Sequence, residues 1–367
     1  MKDSGDKTKK RVAVAMSGGV DSSAAALILK REGYDVIGIS MKLLSDELSG
    51  KKGGCCSLED FNDARRVADI LDVPYYVLNM QKEFSDRVIA SFVTDYSSGK
   101  TPNPCILCNQ EMKFDLLMKK AAQLGADYLA TGHYARVDYD DKRGRYILKK
   151  GLDATKDQSY FLFSMTQDQL SKTLFPVGSF CKDEIRDMLR DAGISIADKD
   201  ESQDICFVDD GDYSTLIEKS VDKTKPGHGD IVSEDGRILG THDGIHNYTI
   251  GQRRGLGISS LKRQYVLGLD LAGNRVIVGD EEGLLSGGLM ATSPNWISIE
   301  GLKGELEASV KIRYSLNDHK AILSPQDEGS VKIRFLEKVR AVTPGQAVVF
   351  YDGEEVIGGG WIERAIK

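Results

Sequence analysis

Two short stretches of the chain carry side chains that can do chemistry. The first is "TPNPCILCNQ", residues 101–110, where Cys105 and Cys108 stand three positions apart behind two prolines. A Cys-x-x-Cys pair can be a redox switch, half of a zinc site, or a nucleophile with a neighbour. Structural zinc wants four ligands, and no second Cys-x-x-Cys occurs. A thioredoxin-type switch would follow directly on a strand in a thioredoxin pattern, which is missing here. The pair precedes a helical pattern that Cys108 or Asn109 would open, and a thiol at a helix N-terminus ionises more readily. A further cysteine, Cys206, lies in "ESQDICFVDDGDY".

The second stretch is "AMSGGVDSS", residues 15–23, between a strand pattern and a helix pattern. Gly18 and Gly19 let the backbone turn sharply and approach a ligand with no Cβ in the way. The amides at the helix start then face an anion, helped by the helix dipole. Ser17, Ser22 and Ser23 add hydroxyl donors. A bare phosphate repels Asp21, so that residue points to a magnesium bridge or to a charge opposing basic partners of the loop. The competing reading is a tight turn that binds nothing, and the serines and aspartate weigh against it. No Gly-Lys-Ser/Thr follows, so this is not the Walker loop of kinases and GTPases.

These stretches need a scaffold, and the pattern around them supplies an α/β one. "RVAVAMS", "YDVIGISMKL", "VPYYVLN" and "DYLATGHYA" read as strands. They alternate with helices in "SSAAALILKREG", closed by Gly33, in "LEDFNDARRVADIL" and in "MKFDLLMKKAAQLG". Leu58, Phe61, Ala64, Ala68 and Leu71 fall on one face of the second of these helices. Such alternation implies a parallel sheet covered by helices. From about Gly227 short alternating strands between glycine turns read as all-β, a small central domain and then a barrel. Val-Lys-Ile-Arg occurs at 310–313 and again at 331–334, as in two similar strands.

With 367 residues, 41% hydrophobic and 29% charged, the chain is long enough for two or three ordinary globular domains. No run of 18 apolar residues occurs, so nothing is expected to span a membrane. The polar, lysine-rich start reads as a ragged tail rather than a signal peptide. Six cysteines without an export signal suit a reducing cytosol. A net charge of −7 argues against indiscriminate nucleic-acid binding while leaving room for a local basic surface. Strand period two would put Lys311 with Arg313, and Lys332 with Arg334, on one face each. Arg253 and Arg254 add a basic turn, and the alternative is a merely solvated outer face.

The loop at 15–23 resembles the Ser-Gly-Gly-x-Asp-Ser loop of the ATP pyrophosphatases, which adenylate a substrate oxygen and release pyrophosphate. "AMSGGVDSS", "TPNPCILCNQ", "ATGHYAR", "DATKDQSYFL", "ESQDICF", "YTIGQRRGLGI" and "VTPGQAVVFYDG" occur in the order seen in the tRNA-specific 2-thiouridylases. The resemblance runs over essentially the whole chain. It implies an α/β pyrophosphate-loop (adenine-nucleotide alpha hydrolase-like) catalytic domain at 1–210, a small mainly-β central domain at 211–282 and a C-terminal β-barrel at 283–367. It implies ATP- and magnesium-dependent replacement of O2 of a tRNA wobble uridine, position 34, by sulfur in the cytoplasm. The tRNAs would be those for Lys, Glu and Gln, and the donor a cysteine desulfurase or a sulfur-relay protein.

Carried over by residue, Ala15, Met16, Ser17, Gly18, Gly19, Val20, Asp21 and Ser22 would hold the phosphates, with Met41 and Gly132 against the nucleotide. Cys108 matches the nucleophile and Cys206 the persulfide carrier. Asn103, Pro104 and Cys105 match the segment at the target base. His133, Lys156, Asp157, Gln158, Arg313, Tyr314 and Gln346 match tRNA-contacting positions. Cys55, Cys56 and Cys181 receive no role. Many members carry Asp where this chain has Cys105. Three cysteines could then hold a 4Fe-4S cluster with one iron open to hydrosulfide; the other reading makes Cys105 a bystander. Rival readings are another pyrophosphate-loop enzyme, such as a 4-thiouridine synthase or a lysidine-type synthetase, and an RNA-binding module with a degenerate loop.

Overall fold

The computed structural model describes residues 10–44, 57–200, 205–208, 227–260, 262–315 and 317–367. The tail before residue 10, with Cys55 and Cys56, lies outside the described residues. The chain forms two compact units, one from 1–89, 104–211 and 353–357, the other from 90–103, 212–352 and 358–367.

In the first unit β1 (Arg11–Ala15), β2 (Asp35–Lys42), β3 (Tyr75–Asn79) and β4 (Tyr128–Ala130) belong to one parallel sheet. β5 (Ala135–Asp140) and β6 (Arg145–Lys150) make an antiparallel hairpin, and β7 (Thr173–Leu174) completes the sheet in the order β3-β2-β1-β4-β7. Val12, Ala13 and Val14 of the central strand are wholly buried. A strand covered on both faces needs such a continuous apolar run.

Helix α1 (Val20–Arg31) buries Ala24 through Leu29. It ends at Gly33, whose φ of +85° suits a residue without a Cβ, and Lys30 and Arg31 complement the dipole in its last turn. Helix α2 (Leu58–Leu71) opens on a capping box of Ser57 and Asp60. Its buried face differs from the expected one: Leu58 is 76% exposed and Phe61 only half-buried, while Asp63, Ala64, Val67, Ala68 and Leu71 face inward. The face rotates because Asp63 turns in to meet a lysine, described below. Helix α3 (Lys182–Asp191) sends Ile185 and Leu189 into the same core as α1 and α2. The residues at 353–357 join this unit through Glu354 and Glu355, which pair with Arg136 and Arg143 of the hairpin.

The second unit holds a four-stranded sheet and a barrel. β8 (Gly229–Ser233), β9 (Ile238–His242), β10 (Tyr265–Asp270) and β11 (Arg275–Gly279) run in the order β10-β11-β8-β9. The barrel comprises β12 (Leu285–Trp296), β13 (Leu306–Lys311), β14 (His319–Pro325), β15 (Val331–Arg340), β16 (Ala347–Asp352) and β17 (Glu355–Ile366). Its order is β12-β15-β14-β13-β16-β17, closed by pairing of β12 with β17, so it leaves no open edge. The helix Ala90–Ser97 and the residues up to Asn103 belong to this unit too.

The two Val-Lys-Ile-Arg segments are not equivalent. The first half of β15 alternates strictly, with Val331, Ile333 and Phe335 buried and Lys332 and Arg334 exposed. β13 ends at Lys311, so Arg313 lies beyond the strand and does not share a strand face with Lys311. Among the described residues no helix is long and apolar enough to cross a membrane.

The alternation in β15 is testable by neighbouring substitutions. Ile333→Ala is expected to cost about 2–5 kcal/mol through the cavity it leaves. Lys332→Ala should stay within about 0.5 kcal/mol. Urea denaturation of the two variants gives both values.

Candidate active site

The loop after β1 is packed rather than open. Met16 N–H donates to Ile39 O at 2.8 Å, and Ser40 Oγ donates to Met16 O. Gly18 has φ +76°, and a Cβ there would stand 2.2 Å from Asp60 O, so only glycine lets the loop lie on α2. Gly19 caps α1 with no side-chain hydrogen bond, which leaves the first-turn amides to an incoming anion. A Cβ on Gly132 would come within 2.6 Å of Asp21 C and Ser22 N, so the segment after β4 also needs glycine to approach the loop. The serines differ from expectation. Ser22 Oγ accepts from Ser17 N–H at 3.1 Å and lies 3.1 Å from Gly19 O, to which Ser23 Oγ also donates at 2.9 Å. Both hydroxyls are buried. They shape the loop, which leaves the backbone amides at the start of α1 as the donors that face outward from it.

Two lysines that the sequence reading missed brace this loop. Buried Lys182, at the first position of α3, donates to Asp21 Oδ1 at 2.7 Å, and Tyr134 OH donates to the same oxygen at 2.8 Å. Asp21 thus meets a basic partner of the loop, as one of its two readings expected. Lys199 Nζ donates to Gly18 O at 3.2 Å, Asp60 Oδ1 at 2.8 Å and Asp63 Oδ2 at 2.6 Å. Burial pushes the Asp60 carboxyl up, but the bonds from Lys199 and Ser57 outweigh it and hold it below its usual range. Burial likewise opposes charge on Lys199, and its bonds to Asp60 and Asp63 outweigh that and raise it. One signal for Lys182 was available: a cation in the first turn of a helix opposes the dipole, so it needs a nearby carboxylate.

Cys105 and Cys108 lie on a helical run over 104–123. It begins as α-helix at Pro104–Leu107, widens to π winding over Cys108–Leu117, and ends as Met118–Gln123. Proline opens the helix, so Cys105, not Cys108, sits in the first turn, and the helix-start argument for the Cys108 thiol does not hold. Cys105 is exposed and Cys108 half-buried. Cys108 and Cys206 both pack against one apolar cluster of Leu43, Leu44, Met80, Phe84, Val88 and Met112, as does Met41 from the end of β2. The Phe207 ring meets that of Phe84 edge-on at 5.7 Å. Among the described residues no three His, Cys, Asp or Glu side chains could together hold a metal ion, so Cys105, Cys108 and Cys206 do not fit a cluster in this arrangement. His242 and His246 form a His-x-x-x-His pair in the sequence, but His242 is engaged by Gly244 N–H and Asn274 O. Partial desolvation and the carboxylates of Glu184, Asp153 and Asp183 push the exposed Cys181 thiol up, which lowers its thiolate fraction.

The other carried-over positions serve the scaffold in several cases. His133 is half-buried, 2.7 Å from Thr131 Oγ1 and flanked by the Phe114 and Phe175 rings at 6.1 Å. Burial, and then Lys113, hold its pKa well below 6.5. Asp157 is buried, accepting from Gly151 N–H, Ser159 N–H and Ser159 Oγ at 3.0–3.1 Å. Gln158 brackets Tyr134 with its Oε1 and its N–H, and thereby steadies the phenol that holds Asp21. Lys156 is half-buried. In the second unit Tyr314 is exposed, while Arg313 donates to Ile250 O, Ala341 O and Thr343 Oγ1. Asn103 belongs to that unit, and Pro104 to the first.

Two tests follow from these contacts. Lys182→Met strands Asp21 without its cation and is expected to cost about 1–3 kcal/mol in urea denaturation. Asp21→Asn in the same background should recover part of that loss. Half-buried His133 is held neutral by desolvation and by Lys113, so the unfolded chain binds the extra proton below pH 6.5, and stability should fall as pH drops through that value. His133→Gln should flatten the fall between about pH 7.5 and 5.5, read from urea midpoints.

Residues 10–210 match the family model described as tRNA methyl transferase HUP domain. Residues 215–280 match the tRNA methyl transferase PRC-barrel domain, and 286–362 the aminomethyltransferase beta-barrel domain. The tRNA-specific 2-thiouridylase MnmA of Geotalea uraniireducens is 52% identical, over 98% of this chain and 96% of its own. A tRNA-specific 2-thiouridylase MnmA of Thermoanaerobacter is 48% identical over 97% of this chain and 99% of its own. The Caldicellulosiruptor saccharolyticus protein of that name is 48% identical over 98% and 99%. Likeness at this level over nearly the full length, with the phosphate loop and both half-buried cysteines in one unit, means that the chain belongs to the tRNA-specific 2-thiouridylase family.

Proposed function

We propose that the protein replaces O2 of the wobble uridine, position 34, of tRNA by sulfur at the expense of ATP. The observation that carries the proposal is the meeting of Cys108, Cys206 and Met41 on one apolar cluster, in the unit that holds the phosphate loop.

ATP is the co-substrate. The residues Ala15 to Ser22 cradle its phosphates, with Met41 and Gly132 against the nucleotide. The base segment is Asn103, Pro104 and Cys105. O2 of the uracil attacks the α-phosphorus, and pyrophosphate leaves as loop amides take up the developing charge. Magnesium brought with the nucleotide would supply further charge neutralisation on the phosphates. Cys206 carries a persulfide, whose terminal sulfur attacks C2 and expels AMP. The Cys108 thiolate then attacks Sγ of Cys206 and breaks the S–S bond. The electron pair stays on the transferred sulfur, which becomes the thiocarbonyl. A Cys108–Cys206 disulfide is left, and a cellular dithiol reductant returns both thiols. The buried apolar cluster under the two half-buried cysteines keeps water from the persulfide.

His133, Lys156, Asp157, Gln158, Arg313, Tyr314 and Gln346 form or shape the tRNA surface. Exposed Tyr314 and half-buried Lys156 suit direct contact, whereas the internal bonds of Asp157 and Arg313 suit a shaping role. The tRNAs are those for Lys, Glu and Gln, the sulfur donor is a cysteine desulfurase or a relay protein, and the setting is the cytoplasm. The domains divide at 1–210, 211–282 and 283–367. The 4Fe-4S alternative finds no ligand group among the described residues.

Nucleoside mass spectrometry of treated tRNA tests the scheme. Cys108→Ser and Cys206→Ser should each abolish 2-thiouridine, and Cys105→Asp should retain it. Full activity in Cys108→Ser would remove that residue from the chemistry. Iron and sulfide analysis of anaerobically purified protein should find neither, and stoichiometric iron and sulfide would replace the persulfide route by the cluster.

A further inference from the structure

The residues that enter the cysteine helix are gripped by one loop of the second unit. Helix Ala90–Ser97 closes with Gly99 at φ +68°, Gly99 N–H bonding to Tyr96 O and Lys100 N–H to Asp95 O, each at 3.0 Å. Immediately after this, Thr101 N–H donates to Pro344 O at 2.9 Å. Gln346 Nε2 donates to Thr101 O at 2.8 Å and stands 3.5 Å from Pro102 O. Gly345, at φ +89°, permits the approach, since a Cβ there would come within 2.8 Å of Lys100 Cβ and 3.0 Å of Thr101 N.

The gripping loop is itself fixed on both sides. Gly345 N–H donates to Ile362 O at 2.9 Å, and Ile362 N–H returns a bond to Gln346 O at 2.8 Å. On the other side Arg313 holds Ala341 O and Thr343 Oγ1. Two residues carried over as RNA contacts, Arg313 and Gln346, thus converge on one clamp.

The clamp acts on a stiff piece of chain. Pro102 and Pro104 each have φ fixed near −65°. Few torsions therefore separate the held carbonyls of Thr101 and Pro102 from Cys105, one turn before Cys108. The clamp therefore restrains the chain at the residues that immediately precede Pro104 and Cys105.

We propose that Gln346 is a positioning residue, which sets the base-binding segment and the cysteine turn through the Thr101 and Pro102 carbonyls. The inference rests on the function proposed above for that segment. As an RNA contact Gln346 would govern tRNA affinity; as a clamp it governs the rate after binding.

Gln346→Ala and Gln346→Glu separate the two roles. The Glu variant is nearly isosteric, lacks the Nε2 donor, and carries the test if the Ala variant does not fold. Three quantities are measured: the tRNA Kd, the single-turnover thiolation rate at saturating tRNA, and the iodoacetamide alkylation rates of Cys105 and Cys108 in tRNA-free protein. The expected result is a rate about tenfold lower with Kd within about twofold, the scale of one lost hydrogen bond. Alkylation of at least one of the two cysteines should change about threefold or more, since its thiol geometry shifts. A Kd raised by the whole factor lost in rate, with alkylation unchanged, overturns the proposal, as does wild-type behaviour throughout. The alkylation arm requires no turnover, so it tests the clamp even if the wild-type protein makes no 2-thiouridine.

Discussion

The loop at the head of α1, whose helix dipole favours anions, carries an anion of its own, and the pairing of Asp21 with Lys182 makes that arrangement stable. A carboxylate at the head of α1 shares its space with whatever phosphate the helix dipole attracts. Without a cation it would oppose the ligand and bear an uncompensated desolvation cost. Lys182 supplies that cation from buried surroundings, and Tyr134 adds a hydroxyl to the same oxygen. Much of the unit is arranged to keep these two donors in place. Gln158 brackets Tyr134, Asp157 staples the turn that carries Gln158, and α3 delivers Lys182 at its first position. Lys199 grips the other end of the loop through Gly18 O. The loop is therefore set before any ligand arrives, so binding need not also order it.

The cysteines obey a different constraint. On the proposed scheme, a persulfide would have to be reachable by a base yet shielded from bulk water and adventitious thiols. Cys108 and Cys206 come from well-separated parts of the chain and reach one apolar floor, both half-buried. Cys105 remains exposed one helical turn earlier. Their separation in burial follows from where the helix begins. Proline at its first position puts Cys105 on the rim and carries Cys108 down toward Met112 and Phe84.

Local patterns were legible in the sequence wherever a backbone rule acts alone. The buried strand runs, the Gly33 stop, the glycine turn at 18–19 and the alternation over 331–335 in β15 all belong to this kind. The bracing lysines were not legible, because Lys182 meets Asp21 across 161 residues and Lys199 meets Gly18 across 181. No spacing rule reaches that far. The buried face of α2 was misjudged for the same reason: Asp63 turns inward for Lys199, and Leu58 is left outside. The start of the cysteine helix could have been read correctly, since proline favours the first helical position. The end of β13 could not, because four identical residues say nothing about where a strand loses its partner.

The short piece 353–357 belongs with the first unit while its flanks belong with the second. β17 accordingly begins beside Lys149 and ends as a wall of the barrel. The chain also changes unit at 89/90 and 103/104. Neither unit is therefore a cassette that one cut could release. A fragment ending near residue 210 would lack the carboxylates of Glu354 and Glu355 that meet Arg136 and Arg143, and would keep a helix and strap whose clamp was gone. Such interlacing makes the parts of this protein poor candidates for independent shuffling, and a recombinant chimera would have to exchange the interlaced segments together.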